Sequence, residues 1–443
     1  MKKFIQTIKD IWKIEELRNK LILTLGFMAV YRFMAQVSLP GIDVTQLGVD
    51  TNIQGGLLGI INAFTGGAFS GASIMALGVM PYISASIVVQ LMGIAVPYLQ
   101  KLDKDGESGR NKKTQITRWL TILITLVQAP TYIYNMGAIG IPESAFLMGH
   151  GGMFFISSLI LLMTGSIFAM WLGEKITDKG IGNGISLLIM IGILARFPGS
   201  FMNEFTSKMS AGGGAGIMIL LEIVVWFLVI MASVYLVTAV RRVTVQYAKR
   251  SVIGNIKSVG SARDYIPLRL NSAGVMPIIF AQALMFVPAL LAQSNNDTVK
   301  ALGIQFQDMF GLSYNILFAI LIIIFSYFYT AITIPTNKMA DDLKRGNGFI
   351  PGVKPGTDTA ELLDTVLSRI TFPGSLFLAL LSVFPAFVVK FGIQQNWALF
   401  YGGTSLIIMV GVAIDSIQQI NAYLLNHHYD GLMKASTGRR ANN

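Results

Sequence analysis

The chain has 443 residues, of which 53% are apolar and only 13% are charged. Soluble domains carry about 25% charged residues, so this composition excludes an ordinary soluble protein and predicts a polytopic membrane protein. The chain contains no cysteine, which excludes disulfides and thiolate metal sites. Its net charge of +11 can be interpreted only from the positions of the basic residues along the chain.

Residues 1–20 combine basic residues with apolar ones at helical spacing, among them Phe4, Ile8 and Trp12. The segment lacks the short apolar core and cleavage site of a signal peptide. We expect a cytoplasmic amphipathic helix on the membrane surface, with a solvated basic tail as the alternative.

Ten apolar runs approach or exceed the length of about 20 residues that crosses a bilayer. They cover residues 21–39, 72–99, 116–137, 152–172, 183–198, 216–239, 272–293, 313–335, 370–390 and 397–422. Five spans per half force the two halves into opposite orientations. We therefore expect an all-α fold with inverted halves at 21–200 and 216–425, joined by an external loop at 201–215.

The positions of the basic residues predict the orientation. Of the 34 Lys and Arg residues, 29 lie in the N-terminal arm, in alternate loops and in the tail at 426–443. Positive charge marks the cytoplasmic side of a membrane, so both termini are expected there.

Two of the basic loops, 240–270 and 336–369, are unusually long. The first is rich in β-branched residues, which indicates a hairpin, and in the second a helix is expected to start at Thr359. Loops of this length are usually functional or disordered. A docking surface for a cytoplasmic partner is the sharper interpretation, and two solvated connectors the other.

Residues 55–99 differ from plain membrane spans. The part up to residue 73 is short and rich in glycine, and in the span that follows Pro81 is expected to remove a backbone hydrogen bond. Ser84, Ser86 and Gln90 add polar atoms at membrane depth. Irregular backbone is tolerated there only inside protein or beside water. We expect a short segment folded into a cavity, a helix lining that cavity, and a function in passage.

Motifs for bond chemistry are missing from the sequence. It has neither an HExxH zinc motif nor a GxxxxGK[ST] phosphate loop. Ionisable residues within the predicted spans are few, namely Arg32, Glu222 and Asp415, whereas coupled transporters usually need such groups. We expect no catalytic residue, metal or cofactor. A channel driven by a partner fits best; a small-solute transporter with inverted repeats and a membrane scaffold remain as alternatives.

Seven sequence blocks carry a family resemblance. They are MALGVMPYISASIVVQL (75–91), DGESGRNKKTQITRW (105–119), WLGEKITDKGIGNGIS (171–186), RRVTVQYAKR (241–250), LRLNSAGVMPIIFA (268–281), FIPGVKPGTDTAELLD (349–364) and YGGTSLIIMVGVAID (401–415). In this order they resemble the SecY family of bacterial protein-conducting channels. The resemblance implies a ten-helix clamshell in the cytoplasmic membrane that passes unfolded secretory proteins and releases membrane proteins laterally.

The resemblance also implies a plug and a pore ring. The plug, at about 57–71, would include Ile60, Ile61, Asn62, Phe64, Thr65 and Phe69. The ring would be formed by apolar side chains of Val79, Ile83, Ile185, Ile189, Ile279 and Ile408. The first two pairs of the ring are spaced i,i+4 and so share a helix face, and an apolar constriction excludes water when it is unoccupied. The alternative is that these side chains face lipid or the helix bundle.

A lateral gate and a docking site are implied in the same way. The gate seam would bring Ser84, Ile87 and Gln90 opposite Asn271, Val275 and Phe286. Docking of the ribosome and of the SecA ATPase would use Arg241, Arg242, Lys249, Arg250, Lys344, Arg345 and Lys354. Lys354 stands where the family normally has arginine, which keeps the charge but loses the planar fork. Further implied partners are SecE, SecG, signal peptides, nascent chains and membrane lipids; ATP hydrolysis would belong to SecA.

Overall fold

The computed structural model describes residues 11–46, 62, 64–137, 141–147, 151–211, 215–247, 263–285, 288 and 297–441. The chain divides into two compact units. The first unit comprises Met1–Ser210, Gln395–Trp397 and Val412–Asn443, and the second comprises Ala211–Gln394 and Ala398–Gly411. Most described residues are helical, and six helical stretches among them are long and apolar enough to cross a membrane. The expected class, a helical polytopic membrane protein, is confirmed.

The first unit is built around α5. Its helices are α1 (Glu15–Met34), α2 (Met80–Ala95), α3 (Pro97–Lys104), α4 (Gly106–Tyr134), α5 (Gly152–Lys179) and α6 (Gly184–Ala211). Helices α1, α2 and α4 each pack against α5. Their apolar core contains Met136, Ile141 and Leu162, all of which are buried.

The second unit is built around α12, which packs against α7, α10 and α11. Its elements in chain order are α7 (Ala215–Thr238), β1 (Val240–Tyr247), β2 (Arg263–Arg269), α8 (Met276–Leu284), α9 (Asp297–Gln307), α10 (Leu312–Thr333), α11 (Thr336–Arg345), β3 (Gly348–Phe349) and α12 (Thr357–Lys390). A short helix, α13 (Gln395–Ala398), precedes the last one, α14 (Gly403–Ala441). Residues of α14 up to Gly411 belong to this unit.

The two long basic loops fold together into one small sheet. Strand β1 pairs antiparallel with β2, with Val240 opposite Arg269 and Gln246 opposite Arg263. It also pairs with β3 on its other edge. The hairpin expected from the β-branched residues is confirmed in its two strands; the turn between them lies outside the described residues.

The predicted helix over 72–99 is wrong at both ends. Residues 72–79 form turns, and α2 begins at Met80 with Pro81 in its first turn. A proline there costs no hydrogen bond, because the first N–H groups of a helix have no intrahelical acceptor. Val96 is extended before Pro97, where α3 starts, since the residue before proline is pushed out of the helical region. Pro81 therefore starts the helix that it was expected to interrupt.

Other boundaries also differ from the predictions. Helix α1 begins at Glu15, after an extended Ile14 that separates it from the helical residues 11–13. Residues 15–20 thus belong to the first span, while residues 1–10 of the expected surface helix lie outside the described residues. Helix α6 runs through Pro198 to Ala211, where a loop from residue 201 was expected. Helix α12 joins the predicted loop helix and the ninth span into one helix of 34 residues, and α14 extends into the predicted tail. Apolar content marks where a membrane span lies, but a helix continues beyond it wherever its polar residues are also good helix formers.

Candidate functional site

The inner segment, defined as residues 64–79, is irregular and buried. From Thr65 onward it consists of turns and bends, and most of its residues are shielded from solvent. Its far end is tied to the chain after α1 by two backbone hydrogen bonds: the Ile74 N–H donates to Val37 O over 2.9 Å, and the Leu39 N–H donates to Ala72 O over 2.8 Å. Backbone groups of an irregular segment need such partners inside protein. The irregular, buried backbone expected of this segment is thus seen for residues 64–73, while residues 55–61 and 63 lie outside the described residues.

Phe69 is the point at which the inner segment is fixed to α4. The Tyr132 hydroxyl donates to Phe69 O over 2.7 Å, and the two rings meet edge-on with centroids 5.0 Å apart. Both side chains are buried, at 4% and 5% exposure. A buried tyrosine hydroxyl needs a polar partner, and here that partner is the backbone of the segment itself.

The N-terminal part of the inner segment is held by polar side chains. Asn62 Oδ1 accepts from the Ser70 N–H over 3.1 Å, and Thr65 Oγ1 accepts from the Phe69 N–H over 3.2 Å. Local bonds of this kind from Asn and Thr stabilise turns at the expense of helix. These hydrogen bonds favour consecutive turns over a helix in this apolar segment.

Gly66 is enclosed by two other elements. Its φ of +67° favours glycine, and Arg32 Nη1, from α1, donates to Gly66 O over 3.2 Å. A β-carbon at Gly66 would lie 2.8 Å from Gly192 O on α6 and would also collide with Arg32 Nη1. In turn, a β-carbon at Gly192 would collide with Phe64 O. The segment therefore lies backbone to backbone against α6, at a distance that only glycine permits.

The predicted plug residues that can be placed all belong to this arrangement. Asn62, Phe64, Thr65 and Phe69 are buried, whereas Ile60 and Ile61 lie outside the described residues. Asn62 and Phe64 have helical geometry, and the residues that follow form turns. The structure does not test their role as a plug.

The predicted ring residues are distributed over both units. Val79, Ile83, Ile185 and Ile189 lie in the first unit, and Ile279 and Ile408 lie in the second. Val79, Ile189 and Ile408 are buried at 2%, 3% and 1% exposure, and the other three are half-buried. Val79 directly precedes α2, and its carbonyl accepts from the Ile83 N–H over 3.0 Å, so the i,i+4 relation is retained. Ile185 rests on Gly173 of α5, which is the bundle-facing alternative for that side chain.

The predicted seam residues are divided in the same way. Ser84, Ile87 and Gln90 lie on α2 in the first unit, where Gln90 Nε2 donates to Ser86 Oγ over 3.3 Å. Asn271 and Val275 precede α8 in the second unit, and a β-carbon at Gly411 of α14 would lie 3.2 Å from Val275 Cγ1. Phe286 lies outside the described residues.

The predicted docking residues that can be placed are all exposed and belong to the sheet region. Arg241 and Arg242 lie on β1, and the Arg242 guanidinium sits over the Tyr265 ring of β2, 4.7 Å from its centroid. Lys344 and Arg345 end α11, and Lys354 follows β3, its carbonyl accepting from the Thr359 hydroxyl over 2.8 Å. Lys249 and Arg250 lie outside the described residues. The loops at 240–270 and 336–369, which are far apart in the sequence, thus both contribute basic residues to the region of this one sheet.

The sheet is supported by a single apolar cluster. Val245, Leu268 and Ile350 from the sheet side pack with Leu363 and Leu367 of α12, all of them buried. Such a cluster fixes the strands against the helix. The basic side chains are therefore carried on a rigid base.

Sequence reasoning missed three residues that hold the inner segment. Arg32 was noted only as a charge within a span, and Gly192 and Tyr132 were not singled out. The signal that could have found Arg32 was its isolation, because an intramembrane cation needs a partner and backbone carbonyls are available in a glycine-rich segment. Gly192 and Tyr132 gave no such signal.

A comparison with known protein families matches residues 73–417 to the family model described as SecY. The chain belongs to the SecY family. Among curated members, protein translocase subunit SecY of Streptomyces scabiei is 39% identical, covering 96% of this chain and 98% of that protein. The corresponding subunit of Mycobacterium bovis is 36% identical, covering 97% and 99%.

Solved structures support the SecY fold. A structure described as a protein-conducting channel superposes with a TM-score of 0.61 at 18% identity, covering 91% of this chain and 92% of that one. Sec61 in a canine ribosome–channel complex gives a TM-score of 0.55 at 17% identity, with the same coverage. At these identities the likeness concerns the fold, and it agrees with the family assignment made from sequence.

Proposed function

We propose that the chain is the protein-conducting channel subunit of a bacterial translocase, which moves unfolded secretory proteins across the cytoplasmic membrane and releases membrane proteins into it. The observation that carries this proposal is family membership over nearly the whole chain, with curated relatives named as translocase subunits. The buried, irregular inner segment agrees with it, because such backbone in a membrane protein belongs at a pathway or inside the bundle. The channel itself performs no bond chemistry.

In this proposal the plug is the stretch at about 57–71, and its movable part among the described residues is 64–68. It is held by the Arg32–Gly66 hydrogen bond and by contact with Gly192, while Phe69 stays fixed to Tyr132. Interhelical hydrogen bonds inside membranes contribute only about 0.6–2 kcal/mol each. An arriving chain could therefore displace residues 64–68 while the backbone beyond Phe69 stays in the core.

The pore ring of Val79, Ile83, Ile185, Ile189, Ile279 and Ile408 would seal the closed channel. Apolar side chains offer no specific hydrogen bond to a passing polypeptide, so they would admit almost any sequence. When no chain is present, an apolar constriction loses its water and blocks ions. Ile185, which rests on Gly173, is the member for which a purely structural role is best supported.

Lateral release would occur between α2 and α8. Gln90 Nε2 donates to Ser86 Oγ within α2. Polar contacts across membrane helices contribute only about 0.6–2 kcal/mol each, so a seam closed by one or two of them could open for an apolar signal helix. The chain has no natural cysteine, which makes a paired substitution such as Ile87→Cys with Phe286→Cys unambiguous. Oxidation of this pair should block export, and normal export through a fully oxidised protein would count against the seam.

The basic sheet surface would dock the partners that supply energy, the ribosome and SecA. SecE and SecG would be the other subunits of the complex. Solved structures with this fold include a yeast Ssh1 complex bound to the 80S ribosome. The distribution of Lys and Arg supports cytoplasmic termini, which would place this sheet on the side where those partners act.

The decisive experiment is site-specific crosslinking of a stalled secretory chain. Photo-crosslinkers at Ile83 and Ile189 should capture the translocating chain, whereas one at Leu220, which is 66% exposed on α7, should not. Capture at none of the ring positions in an active translocase would remove the pore assignment.

The alternative of a small-solute transporter is not favoured by the family match. It predicts saturable uptake of a solute by the purified chain in vesicles, without any partner. Ion conductance that rises when Ile83 and Ile279 are both changed to Gly, with no such uptake, would support the channel.

A further inference from the structure

We propose that the second unit contains a binding site for one ordered water molecule, held between α8, α10 and α12 by Gln282, Tyr314 and Ser382. The proposal concerns the packing of these three helices and is independent of what passes through the protein. It starts from polar atoms that the described part of the chain leaves without a partner.

Three buried polar atoms in this unit have no hydrogen-bond partner among the described residues: Gln282 Oε1, Tyr314 Oη and Ser382 Oγ. Their side chains belong to residues that are only 5%, 2% and 5% exposed. A buried polar group without a partner costs about 1–3 kcal/mol. One such atom is tolerable, but three at one place predict a ligand that satisfies them together.

The three side chains line the same cavity. Its wall also contains Asn315, Thr404 and apolar side chains such as Phe318. Asn315 Nδ2 is already engaged with Met309 O and Gly311 O, at 2.9 and 2.7 Å. The buried side-chain atoms of the wall that lack a partner among the described residues are those of Gln282, Tyr314 and Ser382.

The small size of the cavity suits water. Its volume is about 10 Å³, which is close to the roughly 10–15 Å³ that one water needs. Its lining residues carry no formal charge, so an ion would lack compensation. Water can donate to Gln282 Oε1 while accepting from the Tyr314 hydroxyl and exchanging a hydrogen bond with Ser382. It also has the two to four polar partners that a buried water requires.

The first test uses the sign of a stability change. If water bridges the three side chains, Gln282→Leu, Tyr314→Phe and Ser382→Ala should each lower the Tm of the purified full-length protein, by about 2–4 °C. Combining two of them should cost less than the sum, because the first change already releases the water. If the site is dry, each variant removes an unsatisfied polar atom and should raise the Tm. A rise in all three would overturn the proposal.

Ser326→Ala is the matched control. Ser326 is buried on α10, and its hydroxyl donates within the helix to Ile322 O over 2.7 Å. Its change reports the loss of an ordinary intrahelical bond, and its effect should add fully to that of Ser382→Ala.

The second test is direct, and its main measurement uses the wild-type protein alone. A cryo-EM map of the wild-type protein, at a resolution that shows buried waters, should contain a peak within hydrogen-bond distance of all three side chains. The peak should vanish in Gln282→Leu. A wild-type map that resolves other buried waters but shows none here would refute the site.

Discussion

Residues 64–68 and the basic sheet are both held firmly, but by different forces. The segment at 64–68 is held by the Arg32–Gly66 hydrogen bond and by the close backbone approach of Gly192. The sheet depends on a strand ladder and on an apolar cluster with α12. Hydrogen bonds can be exchanged for others at small net cost, whereas a packed cluster has no substitute. In the proposed channel the plug must be able to leave its place, which the first kind of contact allows, and the proposed docking surface must keep its shape, which the second kind ensures.

The largest expected effect tests the apolar support of the sheet. Leu363→Ala removes a fully buried side chain from the cluster and should destabilise the sheet locally by about 2–5 kcal/mol. Hydrogen exchange of the β1 amides should accelerate at least about tenfold. Leu376→Ala, at a position that is 52% exposed on the same helix, is the control and should leave β1 unchanged. Equal exchange in both variants would mean that the cluster does not support the sheet.

The next effect tests the glycine contact. Gly192→Ala places a β-carbon against Phe64 O, and relieving such an overlap costs about 1–3 kcal/mol. The population with a displaced segment should rise about 5- to 150-fold, measured as ion conductance in planar bilayers. Gly199→Ala is the control on the same helix, because a β-carbon there meets nothing within 4 Å. Identical conductance of the two variants would show that this contact does not hold the segment.

A comparable but smaller effect is expected from Arg32→Met. It removes the hydrogen bond to Gly66 O while keeping a long side chain, and a bond of this kind in a membrane is worth about 0.6–2 kcal/mol. Conductance should rise about 3- to 30-fold. Arg32→Lys, which keeps a donor and the charge, should fall between wild type and Arg32→Met. If the lysine variant conducts ions as strongly as the methionine variant, the effect comes from the shape of the arginine side chain and not from its charge.

The smallest effect concerns the charged surface. Arg242→Gln removes one exposed cation above Tyr265 and should weaken ribosome co-sedimentation by less than about 2 kcal/mol, with a shallower salt dependence. Arg242→Lys keeps the charge but loses the flat guanidinium over the ring. If both variants bind alike, charge alone matters at this position. Binding unchanged in the glutamine variant at all salt concentrations would remove Arg242 from the docking surface.

The sequence was sufficient for plain spans and for the hairpin strands. The predicted span at 216–239 is nearly coincident with α7, Ala215–Thr238, because an uninterrupted apolar run between polar ends leaves little choice. The predicted helix over 72–99 was wrong over residues 72–79, because composition does not distinguish a helix from turns when both are buried. What decides between them is a set of contacts far apart in the chain, such as Tyr132 to Phe69, which are 63 residues apart.

The candidate site could be predicted only where chemistry shows in a single residue. The charges of Lys344 and Arg345 indicate a basic surface. That the two basic loops share one sheet could not be foreseen, because β3 is only two residues long and its pairing with β1 depends on the fold. The close approach of Gly192 to Gly66 was equally hidden, since both are ordinary glycines in a chain with 45 of them.

Helix α12 has a mechanical consequence. Its 34 residues form one helix about 50 Å long at 1.5 Å per residue. Leu363, near one end, packs against the sheet, and Ser382, near the other end, lines the cavity. A displacement of the sheet would be transmitted along this continuous helix. Bending would occur most easily at Pro373 and Pro385. The bending stiffness of α12 would then determine how far a movement of the basic surface displaces the residues around the cavity.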